Sequence, residues 1–364
     1  MKKVNIALCG AYDILSYGDA LFPVALEYEL KRRIKIDEVF LFAPVGNVKC
    51  VSNDAMVYSY QEMERLHEEF QFSAIIVGGG EMLHFAPICF KDSQDKELVY
   101  HEAELWKVPV EFAKSKGIPY YINAVGVARE FDNEQQLVIK EYFKSAEYIS
   151  VRDIYSFERL RNFVDHVELV PDSLWNINRY LSNEQPIVEG EYVVVQYGTM
   201  YQNEELFQVI DEIKRQNRVK IVILPINYCH EDKIFAEKAR KYFNDSIIIY
   251  DYQLSVEEIF NIIANAKLFI GTSLHGTLTA LSNRVYAIVV DMYPSFVGKM
   301  DGLVAWTDDE LPIISDVRSL AYYVQKFIDQ EENSFEDKVE TLKIRVDNHF
   351  DAIAKKIEER VCNE

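Results

Sequence analysis

Short apolar segments of strand-like composition alternate with amphipathic segments of helical period along most of this chain, and they do so in two series. Such alternation is typical of parallel sheets that are covered by helices on both faces. A polar, turn-prone stretch from Asn178 to Gly190 separates the two series. The sequence therefore predicts two α/β domains, over residues 1–180 and 190–314, followed by helices over 315–364.

The length also favours two domains, because a chain of 364 residues is longer than the chains that usually fold around one hydrophobic core. Open α/β sheets place ligands at the carboxyl ends of their strands, so two domains that face one another leave a cleft for a substrate. We expect helices over Glu97 to Lys116 and Val317 to Gln330, and a long charged helix from Ser334 to Val361. Its charge pairs predict a solvated face, on a helix that either packs on the domains or mediates a dimer.

Charge and cysteine usage exclude several classes of partner. A net charge of −20 repels nucleic acid and anionic lipid, so an anionic ligand requires a local cationic pocket. The five cysteines are scattered and form no C-x-x-C pair, which argues against a disulfide framework and against a zinc site. No apolar run approaches the length of a membrane span, and Asn5 interrupts the short run near the start. We expect a cytoplasmic protein that binds no metal and does not insert into a membrane. The sequence is compatible with a homo-oligomer.

A run of three glycines is the first candidate binding element. Gly78, Gly79 and Gly80 come directly after the apolar strand predicted over Ala74 to Val77. Glycines at such a position permit positive φ and let backbone amides approach a ligand closely. The run matches neither the dinucleotide-binding fingerprint nor a Walker A loop. It indicates a substrate-binding loop, with a tight turn as the structural alternative.

The loop after the first predicted strand is a second candidate. It contains Gly10 and Gly18, and it leads through Asp19 into a helix. Asp19 is suited to cap the amino end of that helix by accepting hydrogen bonds from its first amides. Because the loop follows a strand, we expect its glycines at the ligand face of the sheet.

Two arginines follow neighbouring strands of the first series. Arg152 and Asp153 stand where the strand Tyr148 to Val151 ends, and Arg129 follows the preceding strand. A guanidinium at such an edge offers a planar, permanently charged group that suits phosphate or carboxylate. The alternative for Arg152 is a salt bridge to Asp153 or to another carboxylate.

The most specific motif surrounds a histidine in the second series. A strand ends at Gly271, hydroxyl residues follow at Thr272 and Ser273, and His275 opens a helix of small residues that includes Gly276 and Thr277. A histidine in that position exchanges protons near neutral pH or holds an anion when it is protonated. The first amides of the helix also favour negative charge. A capping or core histidine is the alternative.

A lysine and a polar loop complete the candidates. Lys299 ends the tract that begins at Asp291 after the next strand, and its ammonium could neutralise a substrate carboxylate or phosphate. A solvated lysine is the equal alternative. His230 and Asp232 lie in another loop after a strand, but two residues do not make a metal site.

Taken in order, these motifs resemble the polysaccharide pyruvyl transferase family over most of the chain, from Gly10 to Lys299. No single motif carries the resemblance, which depends on the order and spacing of all of them. The segments concerned are the glycine-rich opening after Cys9, Val77-Gly78-Gly79-Gly80, Ser150-Val151-Arg152-Asp153, Val170-Pro171-Asp172, Leu274-His275-Gly276-Thr277 and Lys299.

The resemblance implies a glycosyltransferase-B-like pair of Rossmann-like domains. It implies transfer of pyruvate from phosphoenolpyruvate to a sugar of a cell-surface glycan precursor, with formation of a ketal. By that analogy His275 transfers the proton, and Arg152 with Lys299 holds the phosphate and carboxylate of the donor. Protonation of the methylene creates a cation that two sugar hydroxyls capture with loss of phosphate. No cofactor is implied beyond the donor substrate.

Two positions depart from the family pattern. Many members carry arginine where this chain has Ser273, and asparagine is usual where it has Ser16. A donor-binding cation is therefore either missing or replaced, and Arg129 is a candidate for the replacement. Two other functions stay open. One is a glycosyltransferase of the same architecture that uses a sugar nucleotide, and the other is a catalytically inactive partner in glycan assembly.

Overall fold

The computed structural model of the chain divides into two compact units. The first comprises Met1–Ile14, Asp19–Ser173 and Lys343–Glu364, and the second comprises Leu15–Gly18 and Leu174–Leu342. The structure describes residues 3–50, 52, 55–91, 97–183, 185–198, 204–230, 232–291, 298–308, 310–328, 330 and 335–363.

The strands form where the sequence has short apolar runs. Runs that are apolar at nearly every position become strands with both faces covered. The strands are β1 (Asn5–Cys9), β2 (Glu38–Ala43), β3 (Val48–Lys49), β4 (Met56–Ser59), β5 (Phe72–Gly78), β6 (Ile88–Lys91), β7 (Glu97–Tyr100), β8 (Tyr120–Val125), β9 (Tyr148–Val151), β10 (Val167–Leu169), β11 (Tyr192–Gln196), β12 (Lys220–Ile223), β13 (Ile248–Ile249), β14 (Leu268–Gly271), β15 (Tyr286–Val290) and β16 (Ile313–Ile314).

Most helices alternate with these strands, and the last two follow the final strand. Two of the helices begin with a capping box, in which a side chain and a first-turn residue exchange hydrogen bonds. The helices are α1 (Tyr17–Lys31), α2 (Met63–Phe70), α3 (Glu104–Lys116), α4 (Asn133–Phe143), α5 (Ile154–Leu160), α6 (Ile177–Tyr180), α7 (Glu204–Asn217), α8 (Asp232–Phe243), α9 (Val256–Ala264), α10 (Leu274–Ser282), α11 (Lys299–Ala305), α12 (Leu320–Phe327) and α13 (Glu336–Asn363).

The first unit is built on one large sheet. Within the described residues this sheet has eight strands in the order β10-β9-β8-β5-β1-β2-β4-β3. Its pairings are parallel, apart from the antiparallel pairing of β3 with β4. Every residue of β1 and β8 is buried, as expected for central strands with helices on both faces. Strands β6 and β7 form a separate hairpin in the segment that follows β5.

The second unit is also built on a parallel sheet, which is smaller. Within the described residues it has six strands, all parallel, in the order β13-β12-β11-β14-β15-β16. Every residue of β11, β14 and β15 is buried. The alternation of strands and helices in two series therefore gives the two α/β units that the sequence predicts.

The limits of the units differ from the expected domain limits. The chain changes unit after Ser173 rather than near residue 180, and the last part of α13 belongs to the first unit. The segment Leu15–Gly18 belongs to the second unit although its neighbours on both sides belong to the first. Backbone hydrogen bonds explain this, because the Tyr17 amide donates to the Ile226 carbonyl at 3.1 Å.

The structure corrects three local predictions. The helix expected over Glu97 to Lys116 starts only at Glu104, because Glu97–Tyr100 is strand β7 and pairs antiparallel with β6. Asp19 is not the cap of α1, which already begins at Tyr17, so Asp19 lies in the first turn.

The helix expected over Val317 to Gln330 is also shorter. It consists of a 3₁₀ turn at Val317–Ser319 followed by α12, which ends at Phe327. The long helix α13 is present from Glu336, while Ser334, its expected first residue, lies outside the described residues.

Candidate active site

The three glycines of the first unit lie at the carboxyl end of β5, as the sequence predicts. Gly79 and Gly80 have φ of +93° and +78°, a region that residues with a side chain rarely adopt. A Cβ on Gly79 would lie 2.3 Å from the ring of Phe22, and one on Gly80 would lie 2.7 Å from an oxygen of Asp19. Conformation and packing therefore both require glycine at these two positions.

Gly10 serves the packing behind this loop. A Cβ on Gly10 would lie 2.5 Å from the ring of Tyr12. The Tyr12 hydroxyl donates a 2.9 Å hydrogen bond to the carbonyl of Gly78. Gly10 thus makes room for the aromatic ring that fixes the first peptide of the glycine loop.

Arg152 lies at the end of β9 and is only 3% exposed. Its Nη1 donates to Asp172 at 3.2 Å, and its Nε lies 4.0 Å from Asp153. Burial lowers the pKa of Arg152, but the charges of Asp172, Glu81 and Asp153 outweigh it and raise the pKa above its ordinary value. Arg152 is therefore a fixed cation in a buried ion pair.

Asp153 has a structural position next to this cation. Its side chain accepts hydrogen bonds from the amide of Ser156 at 2.7 Å and from the hydroxyl of Ser156 at 2.9 Å. It is thereby the N-cap of α5. A Cβ on Gly126 would lie 2.9 Å from the Arg152 guanidinium, so that glycine lets the cation lie against the backbone.

His275 lies in the first turn of α10, in the second unit, and is 9% exposed. The N-cap is Ser273, whose hydroxyl oxygen accepts the amide of Gly276 at 3.3 Å. The Thr277 hydroxyl donates to the Ser273 carbonyl at 2.9 Å. Ser273, at the position where the family pattern has arginine, thus fixes the start of the helix that carries His275.

Gly18 lies directly against His275. A Cβ on Gly18 would be 1.7 Å from Nδ1 of the imidazole, so no side chain fits there. The neighbouring Tyr17 hydroxyl lies 3.0 Å from Oγ1 of Thr279. Thr279 itself donates to the carbonyl of His275 at 2.8 Å. Because that bond uses the only hydroxyl proton of Thr279, Tyr17 is the donor in the first one.

Gln196 holds the loop before α10 and was missed by the sequence analysis. Its side-chain oxygen accepts the amides of Thr272 and Ser273 at 3.1 and 3.0 Å. Its side-chain nitrogen donates to Asp232 at 2.8 Å. A buried glutamine at the end of the apolar run of β11 was the available signal, because buried polar groups require partners.

Asp232 accepts two further hydrogen bonds with the same oxygen, from the amides of Ile226 and Asn227 at 3.2 and 3.0 Å. Burial raises the pKa of Asp232 to about 7, although the three hydrogen bonds act in the opposite direction. The Ile226 carbonyl in turn accepts the amide of Tyr17. The hydrogen bonds therefore form a closed network around His275, which we call the α10 network; its side chains are Tyr17, Gln196, Asp232, Ser273 and Thr279.

Arg129 and Lys299 are the two remaining cations that the sequence predicts. Arg129 is exposed in the loop between β8 and α4. Lys299 is the first residue of α11 and is half-buried, and the six residues before Gly298 lie outside the described residues. Among the residues that the structure describes, no group of three or more His, Cys, Asp or Glu side chains could hold a metal ion.

A second buried histidine stands behind the glycine loop. His349 of α13 makes a 2.7 Å hydrogen bond from Nε2 to the side-chain oxygen of Asn123, and the Tyr148 hydroxyl lies 3.0 Å from Nδ1. Asn123 pairs with Gly78 in the sheet, and a Cβ on Gly78 would lie 2.4 Å from the Asn123 carbonyl. The sequence analysis missed both residues because the long helix was interpreted as a charged surface helix.

Comparison with known proteins gives one family and one fold. The family model described as polysaccharide pyruvyl transferase matches residues 17–292. That range includes Arg152 and His275, whereas Gly10 and Lys299 lie outside it. No match is found among curated proteins.

Several solved structures have a similar fold. A S. aureus MnaA–UDP complex is 11% identical with a TM-score of 0.60, and 98% of each chain is covered. A Neisseria meningitidis UDP-GlcNAc 2-epimerase bound to UDP-GlcNAc is 10% identical with a TM-score of 0.60, and 100% of each chain is covered. The glycotransferase of kitacinnamycin is 10% identical with a TM-score of 0.58, and 99% of this chain and 100% of that chain are covered.

These likenesses confirm the predicted fold class, two Rossmann-like units of the glycosyltransferase-B type. At such low identity they show the fold alone. No helix among the described residues combines the length and the apolar character that crossing a membrane requires.

Proposed function

Because the chain belongs to the polysaccharide pyruvyl transferase family and is a transferase that acts on polysaccharides, we propose that it transfers pyruvate from phosphoenolpyruvate to a sugar. The acceptor is a sugar of a cell-surface glycan precursor, and the product is a cyclic ketal. The observation that carries the proposal is the family match, which spans 276 of 364 residues, counted from 17 to 292. The reaction takes place in the cytoplasm and requires no cofactor beyond the donor.

In the proposed reaction, two hydroxyls of the sugar add in turn to the same carbon of the donor. Protonation of the donor methylene leaves a cation at the adjacent carbon, and a first sugar hydroxyl adds there and loses its proton. The bond from that carbon to the phosphate oxygen then breaks, and inorganic phosphate leaves. A second hydroxyl of the same sugar adds to the resulting cation and loses its proton, which closes the ketal ring.

His275 is the proposed proton donor to the methylene. Its position supports this role, because the histidine lies in the first turn of a helix whose start is fixed by Ser273. A histidine exchanges its proton near neutral pH, where such a donor is most effective.

Arg152 is the proposed anchor for the donor phosphate or carboxylate. Its permanent charge and its fixed orientation beside Asp172 support this role. A bound phosphate would share the guanidinium with Asp172. Lys299 is proposed as the second cation for the donor.

Thermal unfolding with added ligands tests donor binding first. Phosphoenolpyruvate should raise the midpoint by mass action, because it binds only the native protein. The shift should be lost in Arg152→Lys and kept in Arg161→Lys, whose arginine is exposed and pairs with Glu158. Lysine is preferable to alanine here, because Arg152→Ala would leave the buried carboxylate of Asp172 without its cation. A midpoint that phosphoenolpyruvate leaves unchanged at millimolar concentration contradicts the proposal.

Turnover tests the chemistry. Phosphate release from phosphoenolpyruvate is measured with a panel of oligosaccharides and UDP- or GDP-sugars, and the ketal methyl group is identified by NMR. His275→Gln should abolish release, while His101→Gln, at an exposed histidine, should leave it unchanged. Release that survives in His275→Gln would remove His275 from the mechanism.

A second function is favoured by one observation. Two of the similar structures are described with UDP or UDP-GlcNAc, and a third is a glycotransferase. The alternative is therefore a glycosyltransferase whose donor is a sugar nucleotide. Release of UDP without phosphoenolpyruvate would establish it, whereas ketal formation on an intact sugar nucleotide would make that nucleotide the acceptor. Absence of both would leave the catalytically inactive partner.

A further inference from the structure

We propose that Tyr17 is a positioning residue for His275, acting through Thr279 as part of the α10 network. The inference rests on the proposed function only where it assigns His275 a role in proton transfer. Tyr17 and Thr279 are not among the site residues that the sequence predicts.

The contacts of Tyr17 restrain His275 from two sides. The Tyr17 hydroxyl donates to Thr279, and Thr279 donates to the carbonyl of His275 one helical turn earlier. The next residue, Gly18, lies against Nδ1 of the imidazole. One short segment therefore fixes both the backbone of His275 and one edge of its ring.

Backbone hydrogen bonds anchor this segment. The Tyr17 amide donates to the carbonyl of Ile226, and the Cys229 amide donates to the carbonyl of Leu15, each at 3.1 Å. The hydroxyl of Ser16 lies 3.3 Å from the side-chain oxygen of Asn227. The segment thus follows the loop after β12, and Asp232 fixes that loop by binding the amides of Ile226 and Asn227.

The burial of the polar side chains in the network indicates that the network fixes the position of His275. Tyr17, Gln196 and Asp232 are 2%, 1% and 1% exposed, and each uses a polar side-chain group in the interior. Satisfied polar networks add little net stability over an apolar core, but they permit one arrangement only. A misplacement of about 1 Å can cost a reaction on the order of 100-fold. A network of this kind around a proton donor therefore acts on rate more than on stability.

Three substitutions test the bond between Tyr17 and Thr279. Tyr17→Phe removes this bond alone, whereas Thr279→Val removes it together with the bond from Thr279 to the His275 carbonyl, and Thr279→Ser keeps the hydroxyl. Tyr192→Phe is the matched control, because Tyr192 is equally buried in the same unit and its hydroxyl donates to the Ile262 carbonyl at 2.8 Å. That bond does not involve the α10 network.

We expect Tyr17→Phe and Thr279→Val each to lower kcat about 10-fold, with KM for phosphoenolpyruvate unchanged within about twofold. The double variant should lose no more than Thr279→Val alone, because that variant already lacks the bond that Tyr17→Phe removes. Thr279→Ser and Tyr192→Phe should keep wild-type kcat. Equal kcat for Tyr17→Phe and Tyr192→Phe would overturn the proposal.

A second readout is independent of activity. The imidazole nitrogens of protein labelled with ¹⁵N-histidine are observed by NMR, and His275→Gln assigns the signal of His275. Tyr17→Phe should shift this signal, and Tyr192→Phe should not. An unshifted signal overturns the positioning role even if turnover is observed. A shifted signal in a protein without pyruvyl transfer keeps the positioning role and rejects the proposed function.

Discussion

The two buried histidines of this protein, His275 and His349, differ in what surrounds their rings. His349 is 3% exposed in the middle of α13, and both of its ring nitrogens face a hydrogen-bond partner, Asn123 and Tyr148. His275 lies in the first turn of a helix, and its ring is bounded by a glycine.

Burial lowers the pKa of His349. Loss of solvation, and secondarily the charge of Arg33, lower the pKa of His349 to about 3. It is therefore neutral at physiological pH and serves as a structural link between α13 and β8. The comparison teaches that burial alone does not identify a catalytic histidine; the position of the ring relative to a strand end and a helix start is more informative.

The largest expected effect separates the two histidines directly. His275→Gln should reduce pyruvyl transfer by about 100-fold or more, as loss of a general acid does, with the unfolding midpoint nearly unchanged. His349→Gln should do the opposite, because it weakens hydrogen bonds in the core while the folded fraction remains active. Turnover per folded molecule and thermal midpoints of both variants are the measurements. Equal loss of turnover in both would remove the distinction.

The next effect concerns the space beside His275. Gly18→Ala should displace the imidazole and lower both kcat and stability, the latter by about 1 to 3 kcal/mol, as overpacking does. Gly198→Ala is the control, since the nearest atoms to its Cβ would be at 3.7 and 3.9 Å, an ordinary contact. Chemical denaturation and initial rates are compared for the two variants. A Gly18→Ala protein with wild-type rates would show that the ring position is not critical.

The pH dependence of stability tests whether His349 is neutral in the folded protein. Its pKa is lower in the folded than in the unfolded protein, so the folded state binds fewer protons between about pH 6.5 and about pH 3. The free energy of unfolding should fall as the pH is lowered through this range. His349→Gln should reduce that slope, which urea unfolding at a series of pH values measures. An unchanged slope would mean that burial does not lower the pKa of His349.

The smallest effect has the opposite sign and concerns Asp232. Burial raises its pKa to about 7, so the folded state binds more protons than the unfolded state between about pH 4 and about pH 7. The contribution of Asp232 to stability is fully present below pH 4 and is lost as the pH rises through 7. Asp232→Asn should flatten this part of the curve, and the same urea series detects it. A slope equal to that of the wild type would contradict the raised pKa.

Local elements of the fold are predictable from the sequence where periodicity is regular. Strand Tyr148–Val151 has the predicted limits, because a short apolar run ends there on the charged pair Arg152 and Asp153. Strand Glu97–Tyr100 was missed, because its pairing with β6 is a tertiary contact that overrides a helix-like local pattern.

The candidate residues are predictable in position but not in contacts. The sequence places His275 in the first turn of a helix and the glycines after a strand, as the structure has them. It does not reveal that Gly18 lies against His275, 257 residues later, or that Gln196 binds Asp232 across 36 residues. Such contacts depend on how strands are ordered in a sheet, which periodicity does not specify.

The placement of His349 has a consequence for the order in which the protein is completed during synthesis. The first unit contains residues from both ends of the chain, since Lys343–Glu364 belongs to it. The ribosome therefore finishes every strand of the large sheet long before His349 emerges to pair with Asn123. Until then the polar side chain of Asn123 lacks this partner. Translation thus delivers this histidine well after the strands whose core it closes.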